Sequence, residues 1–60
     1  MIEWKRIKAG TYESNNGRFN IFHTGPDLWI LRDGNNMECY EFVSLRDSKM
    51  GAEWIIDNER

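Results

Sequence analysis

From Arg18 to Val43 three short runs rich in apolar and aromatic residues read as β-strands, each with side chains directed alternately to two faces. Between Arg18 and Thr24, Phe19, Ile21 and His23 fall on one side and Arg18, Asn20, Phe22 and Thr24 on the other, which is the period of a β-strand. Leu28 to Arg32 is a compact apolar strand in which Trp29 and Leu31 are opposed to Leu28 and Ile30. Glu38 to Val43 reads as the last strand, with Tyr40 and Phe42 opposed to Cys39, Glu41 and Val43. The breaks between these runs carry turn chemistry: Asn15-Asn16-Gly17, Gly25-Pro26-Asp27 and Asp33-Gly34-Asn35-Asn36. Upstream, Met1 to Lys8 predicts an edge strand in which Ile2 and Trp4 alternate correctly and Ile7 slips out of phase, the mark of a bulge. After Ala9-Gly10, Thr11 to Ser14 is a second short β-prone piece.

The period changes at Ser44. From Ser44 to Arg60, Leu45, Ser48, Ala52, Ile55 and Ile56 fall on one side of a helix turning about 100° per residue, a narrow stripe suited to lying on a sheet. Ser44 is placed to cap the helix by accepting from the Asp47 backbone N–H, and the Asp47 carboxylate to reach back, as in a capping box. Gly51 costs about 1 kcal/mol relative to Ala in mid-helix, unless its missing side chain allows close approach to the sheet or a partner. Met50 and Trp54, spaced i, i+4, face away from the stripe.

These elements predict a single α+β domain spanning residues 1–60: an antiparallel meander of three to five strands with the C-terminal α-helix on one face. Phe19, Ile21, Trp29, Leu31, Tyr40 and Phe42 form the covered face against Leu45, Ala52, Ile55 and Ile56. The opposite face shows Arg18, Asn20, Phe22, Thr24, Leu28, Ile30, Arg32, Cys39 and Glu41, more apolar in its middle than solvation requires.

Composition narrows the function. Sixty residues bury a thin core, about 60% of the unfolded chain's surface. One Cys and one His provide neither an internal disulfide nor a tetrahedral zinc site, so three Trp, three Phe and two Tyr, or self-association, must supply the stability. The net charge of −2 suits neither a phosphate-binding protein nor an acidic DNA mimic. No basic leader and no apolar run long enough for a membrane is present, so a soluble cytoplasmic protein is expected, with no membrane partner.

No constellation of catalytic residues stands out. His23 with Cys39 lacks a third orienting group and an oxyanion donor. Asp27, Asp33, Glu38 and Glu41 lack calcium-loop spacing and read as turn-forming and solubilising residues. The expectation is a non-enzymatic chain without cofactor, metal or small-molecule substrate. Its binding candidates are Met50 and Trp54 on the helix, with Phe22 and Ile30 on the open sheet face second, because Trp is enriched among interface hot spots and Met adapts to shape. The competing expectation for Trp54 is that it folds sideways onto the sheet edge. Lys5, Arg6 and Lys8 read as charges that guard an edge strand.

The series Trp4, Gly10-Thr11-Tyr12, Gly17-Arg18-Phe19-x-Ile21, Trp29-x-Leu31 and Phe42-x-Ser44-Leu45-x-x-x-Lys49 resembles small uncharacterised bacteriophage proteins. That resemblance implies a host-takeover or counter-defence factor that docks on one host protein, and a homodimer would use the same surface. By layout, strands followed by a C-terminal helix also resemble the AP2-type and integrase arm-type DNA-binding domains. That likeness implies the alternative, DNA read by Arg18, Asn20 and Arg32 on the exposed sheet face, with Lys5, Arg6 and Lys8 nearby. Phe22, Ile30, Cys39 and Glu41 on the same face depart from that pattern, and few cations are left to neutralise phosphates.

Overall fold

A computed structural model describes residues 2–59; Met1 and Arg60, the outer ends of the predicted first strand and helix, lie outside the described residues. The chain forms strands β1 (Trp4–Lys8), β2 (Thr11–Ser14), β3 (Phe19–Gly25), β4 (Leu28–Asp33) and β5 (Glu38–Phe42), followed by helix α1 (Leu45–Asn58). The strands make one five-stranded antiparallel sheet in sequence order, the predicted α+β meander with both N-terminal pieces paired. Ile7 slips as its phase requires, because the β1–β2 register shifts between Arg6 and Lys8.

Turn chemistry sets the registers. Gly17 takes φ +75°, a conformation in which a Cβ is strained, and its N–H donates to Ser14 O. The Asn16 side chain accepts from Ser14 Oγ at 2.6 Å and from the Arg18 N–H at 3.0 Å. Ser14 is itself buried, and its Oγ accepts the Phe19 N–H at 2.9 Å. This ties the start of β3 to β2 and fixes which residues of the central strand point inward.

Inward-facing positions build the core. Ile21 opposes Tyr12 on β2 and Leu31 on β4, and Leu31 opposes Tyr40 on β5. Phe19, Ile21, Leu31 and Ala52 are fully buried, and each of the three larger side chains contributes on the order of 1.5–3 kcal/mol by burial. The helix lies over β3, β4 and β5. Trp4 and Tyr12 extend the core from β1 and β2, with ring centroids 6.5 Å from Phe19 and 6.4 Å from Trp29.

Local chemistry and packing agree on where the helix starts. Ser44 Oγ accepts the Asp47 N–H at 3.1 Å, and Ser48, buried in the apolar stripe, donates its hydroxyl to Ser44 O at 3.0 Å. Gly51 allows the helix to descend onto β5: a Cβ there would run into the Phe42 ring, with Cε1 and Cε2 at 3.0 and 3.1 Å. Two effects therefore compete in Gly51→Ala. Helix propensity favours Ala by about 1 kcal/mol, whereas overpacking costs about 1–3 kcal/mol. The expected result is a net loss of about 1 kcal/mol, read as a lower urea midpoint with unchanged slope. A higher midpoint would mean that the Phe42 ring steps aside freely.

Candidate functional site

Because the Ser44 cap fixes the phase of α1, turning Ala52, Ile55 and Ile56 inward turns Met50 and Trp54 outward. Trp54 is 66% exposed and Met50 57%, so Trp54 is not folded away into the core. The two line a shallow depression on the outer helix face, shared with Arg46, Glu53 and Asp57. Trp54 also borders a second, apolar groove of about 290 Å³ between α1 and β5, with Tyr40, Phe42, Gly51 and Ile55. That groove is a feature the sequence did not reveal. It exists because Gly51 has no side chain and because β5 is a sheet edge.

The open sheet face carries the second pair of candidates. Phe22 and Ile30 are direct cross-strand partners, flanked in register by Thr11 and Glu41, and both are half-buried. Each shields the other, as aromatic and β-branched neighbours do across a strand pair. Less of their surface is free than at Trp54. The adjacent row runs Lys5, Glu13, Asn20, Arg32, Cys39, so Asn20 and Arg32 do sit side by side on this face. Arg32 Nη2 lies 3.6 Å from Met37 Sδ.

Arg18 departs from its predicted place. Instead of joining Asn20 and Arg32 on the open face, it turns to the helix side and lies with its guanidinium carbon 4.8 Å from the Phe19 ring centre. Nε and Nη2 donate to the two Asp33 carboxylate oxygens at 2.9 and 3.0 Å, and Nη1 donates to Glu59 Oε1 at 2.8 Å. Strand alternation did not dictate its direction, since Arg18 precedes β3, and two carboxylates on the helix side claim it. Asp33 is correspondingly not a solubilising residue. It opposes Phe19 in register, is fully buried, and Oδ1 also accepts the Asn35 N–H at 3.0 Å, so only its turn-forming role stands.

The charges in this cluster are mutually adjusted. Hydrogen bonds from Arg18 hold the Asp33 carboxyl below its ordinary value of 3.8 against the opposing effect of burial, and they lower Glu59 in the same way. Glu59 and Asp33 together push the Arg18 guanidinium further up. The cluster pins the C-terminal end of α1 to the β2–β3 and β4–β5 turns. It is structural rather than an open binding site.

His23 and Cys39 lie on opposite faces of the sheet: His23 shares the face of Phe19 and Ile21, stacked on Trp29 at 4.0 Å, whereas Cys39 opposes Arg32 on the open face. They cannot act as a pair. Among the described residues no group of three His, Cys, Asp or Glu side chains is gathered that could hold a metal ion, and no helix is long and apolar enough to cross a membrane. The chain matches no protein family, no curated protein and no solved structure.

Proposed function

We propose that this chain is a small non-enzymatic binding module that docks the Met50–Trp54 face of its helix onto a protein. The observation carrying this reading is a Trp and a Met, each more than half exposed, side by side in a domain that sends every other aromatic except the open-face Phe22 into or against the core. A Trp left outside such a thin core contributes little to folding, whereas at an interface it offers a large rigid anchor. The charged residues Arg46, Glu53 and Asp57 around it provide the polar rim that surrounds such anchors. The resemblance to small phage proteins extends the proposal to a partner in a host cell, in a host-takeover or counter-defence role.

Trp54→Ala separates binding from folding. The variant is expected to keep its circular dichroism spectrum and to lose less than about 0.5 kcal/mol of stability, because the side chain is largely in water. Its capture of a partner should fall by about tenfold or more in a quantitative pull-down against the unaltered chain, the loss of a Trp hot spot. A variant that unfolds would make Trp54 a core residue, and undiminished capture would move the interface elsewhere. For DNA, the exposed face offers Lys5 and Arg32 against Glu13 and Glu41, with Arg18 already bound to carboxylates. No gel shift is expected even at low salt.

A further inference from the structure

We infer that this helix face also binds a second copy of the chain, in competition with any other partner, through an antiparallel pairing of the two α1 helices; the inference rests on the binding role just proposed for Met50 and Trp54. Its basis is the order of side chains along the outer face. Arg46, Met50, Trp54 and Asp57 follow one another at spacings of four, four and three residues and so form one stripe along α1. A two-fold axis crossing this stripe near residues 51 and 52 brings Met50 against the partner subunit's Trp54, and Trp54 against the partner subunit's Met50. The same axis places Arg46 against the partner subunit's Asp57, and Asp57 against the partner subunit's Arg46. This is the self-complementarity that an isologous interface requires, in which contact i to j is matched by j to i.

The charge pattern also selects the direction. In a parallel pair each Arg46 would meet another Arg46, and each Asp57 another Asp57. In the antiparallel pair both symmetry-related contacts are attractive, and the two helix macrodipoles oppose each other favourably. Among the described residues the ion pairs are those of Arg18 with Asp33 and Glu59, so Arg46 and Asp57 remain free to pair between copies. Lys49 is partly engaged within its own chain, its Nζ lying 5.4 Å from the Tyr12 ring centre, so Arg46 and Asp57 set the register. A single pair of helices of 14 residues makes a small interface, at the low end of what supports specific association, and the dimer is expected to have a dissociation constant of about 1 μM or weaker.

Sedimentation equilibrium from about 1 μM to 1 mM of the full chain tests this across the expected dissociation range. The mass should rise from the monomer's 7.2 kDa toward twice that value. Arg46→Asp sets like charges against each other at both symmetry-related contacts and should weaken the dimer about tenfold. Adding Asp57→Arg in the same chain restores opposite charges across the antiparallel pair and should restore the dimer. Both changes place charges favourably on the helix dipole, so neither should impair folding. A chain that stays monomeric at 1 mM overturns the inference, as does a dimer indifferent to Arg46→Asp or one that the double change fails to restore. If the chain is monomeric yet captures another protein in a Trp54-dependent way, self-pairing fails while the binding role stands. Loss of Trp54 dependence in both assays removes the binding role as well.

Discussion

Phe19→Ala is expected to leave the chain largely unfolded at 25 °C. Phe19 is fully buried, packs beside Trp4 and lies under the Arg18 guanidinium, and its N–H is the one that Ser14 Oγ accepts. Removing a buried Phe side chain costs about 3–5 kcal/mol through lost transfer energy and the cavity left behind. A domain of this size holds only about 3–9 kcal/mol in total, and small cores without a disulfide or metal usually fall at the lower end. The cost therefore approaches or exceeds the whole margin. Loss of the far-ultraviolet signal and of a cooperative melt would record it. Phe19→Leu, which keeps most of the volume, should retain a lowered but cooperative transition.

Arg18→Ala has the second largest expected effect, about 3 kcal/mol, because it strands the Asp33 carboxylate in the interior. That is the lower end of the range for breaking a buried pair, since the Arg18 side chain keeps 13% of its surface exposed. The dependence on pH separates this cause from simple loss of packing. In the unaltered chain the folded-state value of Asp33 is depressed, so between that value and 3.8 the unfolded chain binds more protons, and stability rises with pH. The contribution is fully present above about pH 4 and is lost on acidification through the folded value, with Glu59 acting in the same direction.

Without Arg18 the sign reverses at Asp33. Burial then outweighs the opposing Asn35 N–H and raises its value, the folded state binds more protons, and Arg18→Ala should recover part of its loss as the pH falls toward 4. Urea midpoints of both proteins at pH 3, 4, 5 and 7 would show opposite slopes over the acid range. Parallel slopes would mean that the pair contributes nothing beyond packing. Replacing both partners by apolar residues of similar volume, Arg18→Met with Asp33→Leu, should restore much of the stability, because no charge is then left buried.

How far a residue could be placed from sequence depended on what directs it. Phe19, Ile21, Leu31 and Ala52 are core because their spacing leaves one arrangement that hides them, and the strand and helix periods state that arrangement along the chain. The same period turned Trp54 away from the stripe but left open whether its ring folds sideways onto the sheet edge, and only the structure, with Trp54 66% exposed, decided that. Asp33 was not legible as buried. Its type favours a turn, and only the register that sets it opposite Phe19 and beside Arg18 explains how a carboxylate can lie there. Gly51 carried a signal of a different kind, a cost in mid-helix whose reason is the Phe42 ring of another element.

The sequence by itself determined the meander of the three central strands, the C-terminal helix with its cap at Ser44 and most of the inward and outward faces, because these follow from short-range periodicity and turn chemistry. The pairing of the two N-terminal strands was left to the structure. Tertiary structure decided the partners of charged groups and the shape of grooves. Arg18 left the open face for Asp33 and Glu59, and a groove opened between β5 and the helix beside Trp54. Such features depend on which distant residues meet after the chain has folded, and no local period encodes that distance.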